Sequence, residues 1–375
     1  MSGATWLLIH GLLLAEAFVL AAILAPLTIP WARRFGFEAG QGDRHIHIRP
    51  TTTLGGLAIV SSFLLVVLGN AFAAWIFREQ LIERFPHVGR YAANIPSVLR
   101  PLIAILVGAV AMSILGLVDD KLGLGPKLKL GVQILATLPL LWAGVRIQGF
   151  LPWPWLGALA TVVWIVFLTN SFNFLDNMDG LSSGVACIVS LAFFLVSFFA
   201  GEWFIAGLHA ALAGCLFGFL VHNTHPARLF MGDNGSLFIG YLIGCLSVLS
   251  TYYKTGVPTA LPFLTPVIIL GVPIFDTLSV MWIRMREGRP LMRGDRNHFS
   301  HRLTDLGMSQ KRAVGFIYVV TAAMALGAAP LRSVDGFGAA AILCQTALLF
   351  YIIHRIERWG ARRAQEMSAA ASNKK

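Results

Sequence analysis

Apolar runs of about 20 residues recur along the chain, separated by shorter polar segments. Within those runs the residues do not alternate apolar and polar at every second position, which excludes a membrane β-barrel. The pattern predicts an all-α, polytopic membrane protein with about eleven spans, at roughly 5–30, 54–77, 99–118, 128–145, 153–172, 181–200, 203–222, 235–253, 260–283, 313–331 and 336–354. The first run has no Lys or Arg before it and is too long for the apolar core of a cleaved signal, so it is predicted to be a retained span. Pro262, Pro266 and Pro273 predict that the ninth span bends or breaks. The expected organisation is an integral membrane domain over 1–354 followed by a basic tail, 355–375.

Composition agrees with this class. Hydrophobic residues make up 57% of the chain and charged residues 13%, against about a quarter in soluble domains, and the mean hydropathy is +0.72. The four cysteines lie inside apolar runs at no metal-ligand spacing, so they are expected to be small core residues. The net charge of +11 is not read as a nucleic-acid signal, because its distribution follows the loops. When loops are assigned alternately to two sides, 22 of the 29 Lys and Arg fall on one side. By the positive-inside rule that side is cytoplasmic, which places the N-terminus outside and the C-terminus inside. Arg355, Arg358, Arg362 and Arg363 then lie near anionic headgroups, where their simplest role is to fix topology.

The polar residues beside the spans carry the candidate chemistry. Between two long apolar runs stand Asn170, Asn173, Asp176 and Asp179, followed by Gly180. Two carboxylates and two amides at the edge of hydrocarbon are costly without a partner. A helix cap accounts for one of them; a hard cation with phosphate oxygens accounts for the carboxylates, and a sugar, base edge or water network suits the amides. Asp119 and Asp120 end the third span, where they repel each other and oppose the helix dipole unless neutralised. Lys129 and Gln133, four residues apart, share a helix face that would meet a phosphate; snorkelling to headgroups is the plainer role for the lysine. Asn223 ends the seventh span, and Asp233 and Ser236 open the eighth in a Gly-rich turn, where helix amides favour anions and an Asp also serves as an ordinary cap. Asp276 is an ionisable residue near a span, with a structural salt bridge as the competing role. The long basic segment carries Arg296, His298, His301 and Arg302, suited to phosphate recognition as well as to solvation.

Together the motifs Arg49-Pro50-Thr51 with Gly55-Gly56, Asp119-Asp120, Lys129 with Gln133, Asn173-Phe-Leu-Asp176-x-x-Asp179-Gly180, Asn223-Thr-x-Pro226-Ala, Met231-Gly-Asp233-x-Gly-Ser236, Pro273-Ile-Phe-Asp276-Thr and Asp295-Arg-x-His298-x-x-His301-Arg-Leu303 run in register. In this order the sequence resembles the polyprenyl-phosphate N-acetylhexosamine-1-phosphate transferase family, nearest to its undecaprenyl-phosphate N-acetylglucosaminyl branch. The resemblance implies transfer of a sugar 1-phosphate from a UDP-sugar to undecaprenyl phosphate in the bacterial inner membrane, with Mg²⁺ (or Mn²⁺) and release of UMP, and a homodimer. It implies Asp233 as principal metal ligand with Asp119 and Asp120 beside it. Asp119 would orient or deprotonate the lipid phosphate. Asp176 and Asp179 would belong to the catalytic carboxylates, and Asp179 and Asn223 would lie near the uridine. Arg49, Lys129, Asn170, Asn173, Ser236, Asp276, Arg296, His298, His301 and Arg302 would bind substrate.

Three positions depart from the family pattern. Thr52-Thr53 replace Pro-Arg, Asn177 replaces a Gly and would tolerate a left-handed turn, and Ser300 replaces a histidine. The run of three histidines usual in the pentapeptide-transferring branch, phospho-N-acetylmuramoyl-pentapeptide transferase, is missing, so that branch is the alternative. A transporter would place its charges near the midplane in repeated halves, and a scaffold would not need clustered aspartates.

Overall fold

The computed structural model describes residues 3–38, 51–84, 95–148, 153–250, 261–290 and 297–372. Arg49, Pro50, Asp295 and Arg296 lie outside the described residues. The chain forms two compact units, Met1–Thr251 and Tyr252–Lys375. Regular structure is helical throughout; among the described residues β-pairing is limited to isolated bridges, Glu38 with Thr52 and Thr52 with Leu229.

The first unit contains α1 (Gly3–Phe35), α2 (Gly56–Ile76), the short α3 (Arg78–Arg84), α4 (Ile95–Leu122), α5 (Pro126–Trp142), α6 (Pro154–Leu175), α7 (Leu181–Ala200), α8 (Trp203–Asn223) and α9 (Gly232–Leu249). The second contains α10 (Thr265–Ile269), α11 (Gly271–Arg286), α12 (Phe299–Asp305), α13 (Gln310–Ala328) and α14 (Gly336–Ser372). Among the described residues nine helices are long and apolar enough to cross a membrane, and ten if the bent pair around Leu270 is one span. The expected eleventh, at 128–145, is α5, a helix of 17 residues. The chain is a multi-pass membrane protein. The prolines of the ninth span act as expected: the pieces Leu261–Ile269 and Gly271–Arg286 meet at 72°. The stretch assigned to a separate tail continues α14 without a break as far as Ser372.

Helix α9 is the axis of the first unit. It is the most buried of the nine and packs on α4, α6 and α2, with lesser contacts to α7 and α8. Lipid tails are as apolar as leucine, so helices associate in a bilayer through close packing rather than through the hydrophobic effect. Small residues provide that approach here. A Cβ on Gly56 of α2 would lie 2.5 Å from Gly235 Cα and 2.7 Å from Met231 O, and one on Gly240 of α9 would lie 2.7 Å from Thr169 Cα on α6. Outside this centre α8 packs along α1 and α7. The large apolar side chains left exposed, among them Leu12, Phe72, Trp75 and Leu135, cover the outer surface, as lipid contact requires.

Three cysteines, Cys187, Cys215 and Cys245, are buried as expected, but Cys344 is exposed on α14. Helices that meet lipid on one face carry apolar residues all round, so hydropathy could not distinguish its outward face from a core face. Replacing Gly56 by Ala forces a Cβ against backbone rather than against a movable side chain. It is expected to cost about 1–3 kcal/mol, measured as a lower thermal unfolding midpoint of the detergent-solubilised protein.

Candidate active site

The polar residues collect at one end of the first unit, where α4, α6 and α8 finish and α2, α5, α7 and α9 begin. Four loops are sewn together there. The segment 51–56 lies along 229–231: Phe230 N donates to Thr52 O at 2.7 Å, Gly55 N to Phe230 O at 3.0 Å and Gly56 N to Met231 O at 2.9 Å. This pairing explains the glycine pair, since a Cβ on Gly55 would meet the Phe230 carbonyl. The loop after α6 turns on Gly180, whose φ of +73° is left-handed. No non-glycine among the described residues has positive φ, so Asn177 does not take the left-handed turn considered for it; its side chain donates to Phe174 O at 2.7 Å.

Helix α9 begins at the centre of this end, and its amides need acceptors. Asp120, at the end of α4, supplies them: Asp233 N donates to Asp120 Oδ1 at 3.0 Å and Asn234 N to Oδ2 at 3.3 Å. One helix end thus caps another, and the adverse position of Asp120 in its own helix is offset by the favourable end of α9. Asn234 is buried and holds the same pair of helices together, donating to Ser113 O at 2.8 Å and Ser113 Oγ at 2.6 Å.

Next to this cap lies a network of charge. The Lys129 ammonium on α5 sits between Asp119 Oδ2 of α4 and Asp233 Oδ2 of α9, the latter at 3.1 Å. Asp119 Oδ1 accepts Leu124 N at 2.7 Å, which fixes the turn between α4 and α5. Asn173 Nδ2 donates to Asp233 Oδ1 at 2.8 Å and Ser236 Oγ at 2.9 Å. One turn further into the helices, Asn170 Nδ2 donates to Gln133 Oε1 at 2.6 Å, with the return bond from Gln133 Nε2 to Asn170 Oδ1 at 3.4 Å. The i, i+4 pair on α5 and the i, i+3 pair on α6 therefore face each other: the amides pair with one another, and Lys129 and Asn173 converge on Asp233.

Asp179 and Asn223 are buried and join the α6–α7 loop to the α8–α9 loop. Asn223 Oδ1 accepts Gly180 N at 3.1 Å and Ser183 Oγ at 2.8 Å, and its Nδ2 donates to Leu229 O at 3.1 Å. Asp179 Oδ2 accepts His225 Nδ1 at 2.7 Å and Ala227 N at 3.1 Å. Asp176, just beyond α6, is half-buried, and its carboxylate accepts no hydrogen bond among the described residues. Burial first, and then the negative charges of Asp233, Asp120 and Asp179, hold this carboxyl well above the usual carboxylate range.

Asp276, His298, His301 and Arg302 belong to the second unit. There Asp276, fully buried, accepts His298 Nδ1 at 2.8 Å and Phe299 N at 2.6 Å. Arg302 donates to Asn297 O at 2.7 Å and Ser279 Oγ at 2.9 Å. His301 lies in α12, half-buried. Asn234 and His225 were not singled out as site residues from the sequence. Each stands inside or beside a motif already noted, and that placement was the only available signal.

The donor set is hard oxygen, which suits Mg²⁺ or Mn²⁺ rather than a soft metal. Among the described residues no three His, Cys, Asp or Glu side chains converge as a complete metal cage. Such a donor set would suit a cation held by one or two carboxylates, with other oxygens completing its shell. The position of Lys129 between Asp119 and Asp233 marks where positive charge is wanted.

These features define a polytopic membrane protein with an acidic, lysine-bridged site at one end of its helices. The family model for glycosyl transferase family 4 matches residues 102–251. A probable undecaprenyl-phosphate N-acetylglucosaminyl 1-phosphate transferase of Bacillus subtilis is 32% identical over 329 residues, 84% of this chain and 84% of its own length. A decaprenyl-phosphate N-acetylglucosaminephosphotransferase of Mycolicibacterium smegmatis is 32% identical, covering 91% of this chain and 87% of its own. A phospho-N-acetylmuramoyl-pentapeptide-transferase of Moorella thermoacetica is 32% identical, covering 84% and 95%. The chain belongs to glycosyl transferase family 4, the polyprenyl-phosphate N-acetylhexosamine-1-phosphate transferases.

The raised Asp176 carboxyl gives a signed expectation. Its charged form is disfavoured in the fold, so the penalty grows as pH rises above the unfolded value of about 3.9 and is full above the raised folded one. Asp176→Asn removes it. Without divalent cation at pH 8 this variant is expected to melt at a higher temperature than wild type. Added Mg²⁺ should stabilise wild type more than the variant, read by differential scanning fluorimetry.

Proposed function

We propose that this protein transfers N-acetylglucosamine 1-phosphate from UDP-N-acetylglucosamine to undecaprenyl phosphate, releasing UMP, at the cytoplasmic face of a bacterial inner membrane. The reaction begins a cell-envelope polysaccharide. The observation that carries the reading is the convergence of Asp119, Lys129, Asn173 and Asp233 from four helices on one point at the end of the bundle. The names of the B. subtilis and M. smegmatis relatives support the sugar and the lipid acceptor. The pentapeptide-transferring relative, of equal identity, keeps its activity as the second reading. The missing run of three histidines favours the first.

Both substrates are anionic at their reacting ends, so their encounter is opposed by charge. When bound, Mg²⁺ supplies charge neutralisation on the diphosphate. Asp233 and Asp119 would hold it, with Asp176 nearby. Lys129 stays on the same carboxylates and keeps them oriented. Asn173 fixes the Asp233 rotamer through the opposite oxygen. Asp120 does its work through the backbone: by capping α9 it sets the position from which Asp233 projects. The acceptor phosphate already carries a nucleophilic oxygen, so positioning outweighs strong base catalysis. A site at the helix ends lets the acceptor's tail stay in hydrocarbon while its phosphate reaches water.

UMP release from UDP-N-acetylglucosamine and undecaprenyl phosphate with Mg²⁺ tests the proposal. Asp233→Ala and Asp119→Asn are expected to lower kcat by roughly 10²–10³-fold, the scale of losing one electrostatic stabiliser, while eluting as folded protein. Wild-type turnover in both would defeat the mechanism. Turnover only with UDP-N-acetylmuramoyl-pentapeptide would select the second reading.

A further inference from the structure

The chain builds the same aspartate–histidine couple twice. In the second unit Asp276 accepts His298 Nδ1 and the following amide, Phe299 N. In the first, Asp179 accepts His225 Nδ1 and the amide two residues on, Ala227 N. In each couple a buried carboxylate fixes the ring: Nδ1–H donates to the Asp, and Nε2 is presented on the opposite side, where it too is a donor when the ring is protonated. His298 is buried, whereas the His225 side chain is 39% exposed. Among the described residues His225 Nε2 has no partner.

A surface histidine needs no buried carboxylate to stay soluble. Asp179 is 3% exposed, and desolvating a carboxylate to orient a ring is costly unless the orientation is used. The location supplies the use. Asp179 stands three residues after Asp176, close enough that its charge bears on that carboxyl. His225 therefore opens at the rim of the acidic site, on the loop that leads into Asp233. Around it the first unit gathers five carboxylates, Asp119, Asp120, Asp176, Asp179 and Asp233, and the ammonium of Lys129 is already engaged by two of them. A substrate bearing two phosphates needs donors that are not already engaged. Of the side chains on this rim, His225 offers one that is open, a donor when the ring is protonated.

The geometry points to His225 as a further substrate-contacting residue: as the imidazolium, with its Nδ1–H on Asp179, it donates Nε2–H to a phosphate oxygen of the nucleotide donor while Asp179 holds the ring in place. This rests on the proposed use of a nucleotide sugar, and it assigns Asp179 a positioning role through the histidine.

The test uses the purified full chain, with UMP and uridine as competing ligands, and compares wild type with His225→Ala and His225→Asn. Asparagine keeps a donor near the Nδ1 position for the buried Asp179 carboxylate but has no nitrogen where Nε2 stands, so it guards against simple misfolding of the alanine variant. Losing a hydrogen bond to a charged group predicts a rise of about tenfold in the UMP inhibition constant and in the donor KM for both variants. The inhibition constant of uridine, the acceptor KM and kcat should stay within about twofold, a split that a merely structural role would not produce. Unchanged UMP inhibition in either variant, or equal weakening of UMP and uridine, overturns the assignment. Absence of both UMP binding and transfer in wild type would instead remove the proposed function beneath it.

Discussion

One ammonium held between carboxylates from two other helices, at the margin of an apolar bundle, is the interaction on which this end of the protein depends. Lys129 of α5 meets Asp119 of α4 and Asp233 of α9. At such separations a unit charge pair is worth on the order of 1 kcal/mol in water and about 4 kcal/mol at the effective dielectric of a protein edge. Removing Lys129 leaves both carboxylates as partly buried charges without compensation, which costs more than the pair contributes when intact. The carboxylates outnumber the cation, and the negative charges of Asp233, Asp120 and Asp179 bear on Asp176. Such a cluster is short of positive charge.

That arrangement is held by backbone as much as by side chains. Asp120 spends both oxygens on the first amides of α9, so the helix carrying Asp233 and Ser236 cannot shift along its axis without breaking its cap. The glycines of α2 and α9 bring backbone within van der Waals range, and the 51–56 segment hydrogen-bonds to the loop that precedes α9. Asn223 and Asp179 lock a second pair of loops in the same way. In a bilayer an unsatisfied backbone group has no water to turn to, so a site built from loops must close its hydrogen bonds internally. Many of the polar residues at this end do that work, and the groups left open to a ligand are correspondingly few.

The second unit repeats part of this logic. Asp276 is fully buried, and its two oxygens serve one imidazole and one amide, which sets the start of α12. Arg302, one turn on, is tied to Ser279 of α11. The result is a basic segment whose His298 and Arg302 are held rather than free to sample solution. The entropy of ordering these side chains is thus lost in folding.

The sequence by itself determined the class of this protein, the approximate position of every span and the motifs that gather at the helix ends. Hydropathy over 20 residues is a sum that no local detail can reverse, and Pro262, Pro266 and Pro273 break a helix wherever it packs. It also carried the family, since the motifs stand in a fixed order. Tertiary structure decided which of the acidic residues serve the fold and which stay open. Asp119 and Asp120 are neighbours of the same type, yet one binds a lysine ammonium and the other caps a helix more than a hundred residues away. Asp176 and Asp179 share one turn, yet the first has no hydrogen-bond partner among the described residues and the second is consumed by His225 and Ala227. Those outcomes depend on which backbone amides and cations come within 3 Å after α4, α5, α6 and α9 pack, and a linear sequence does not contain that distance.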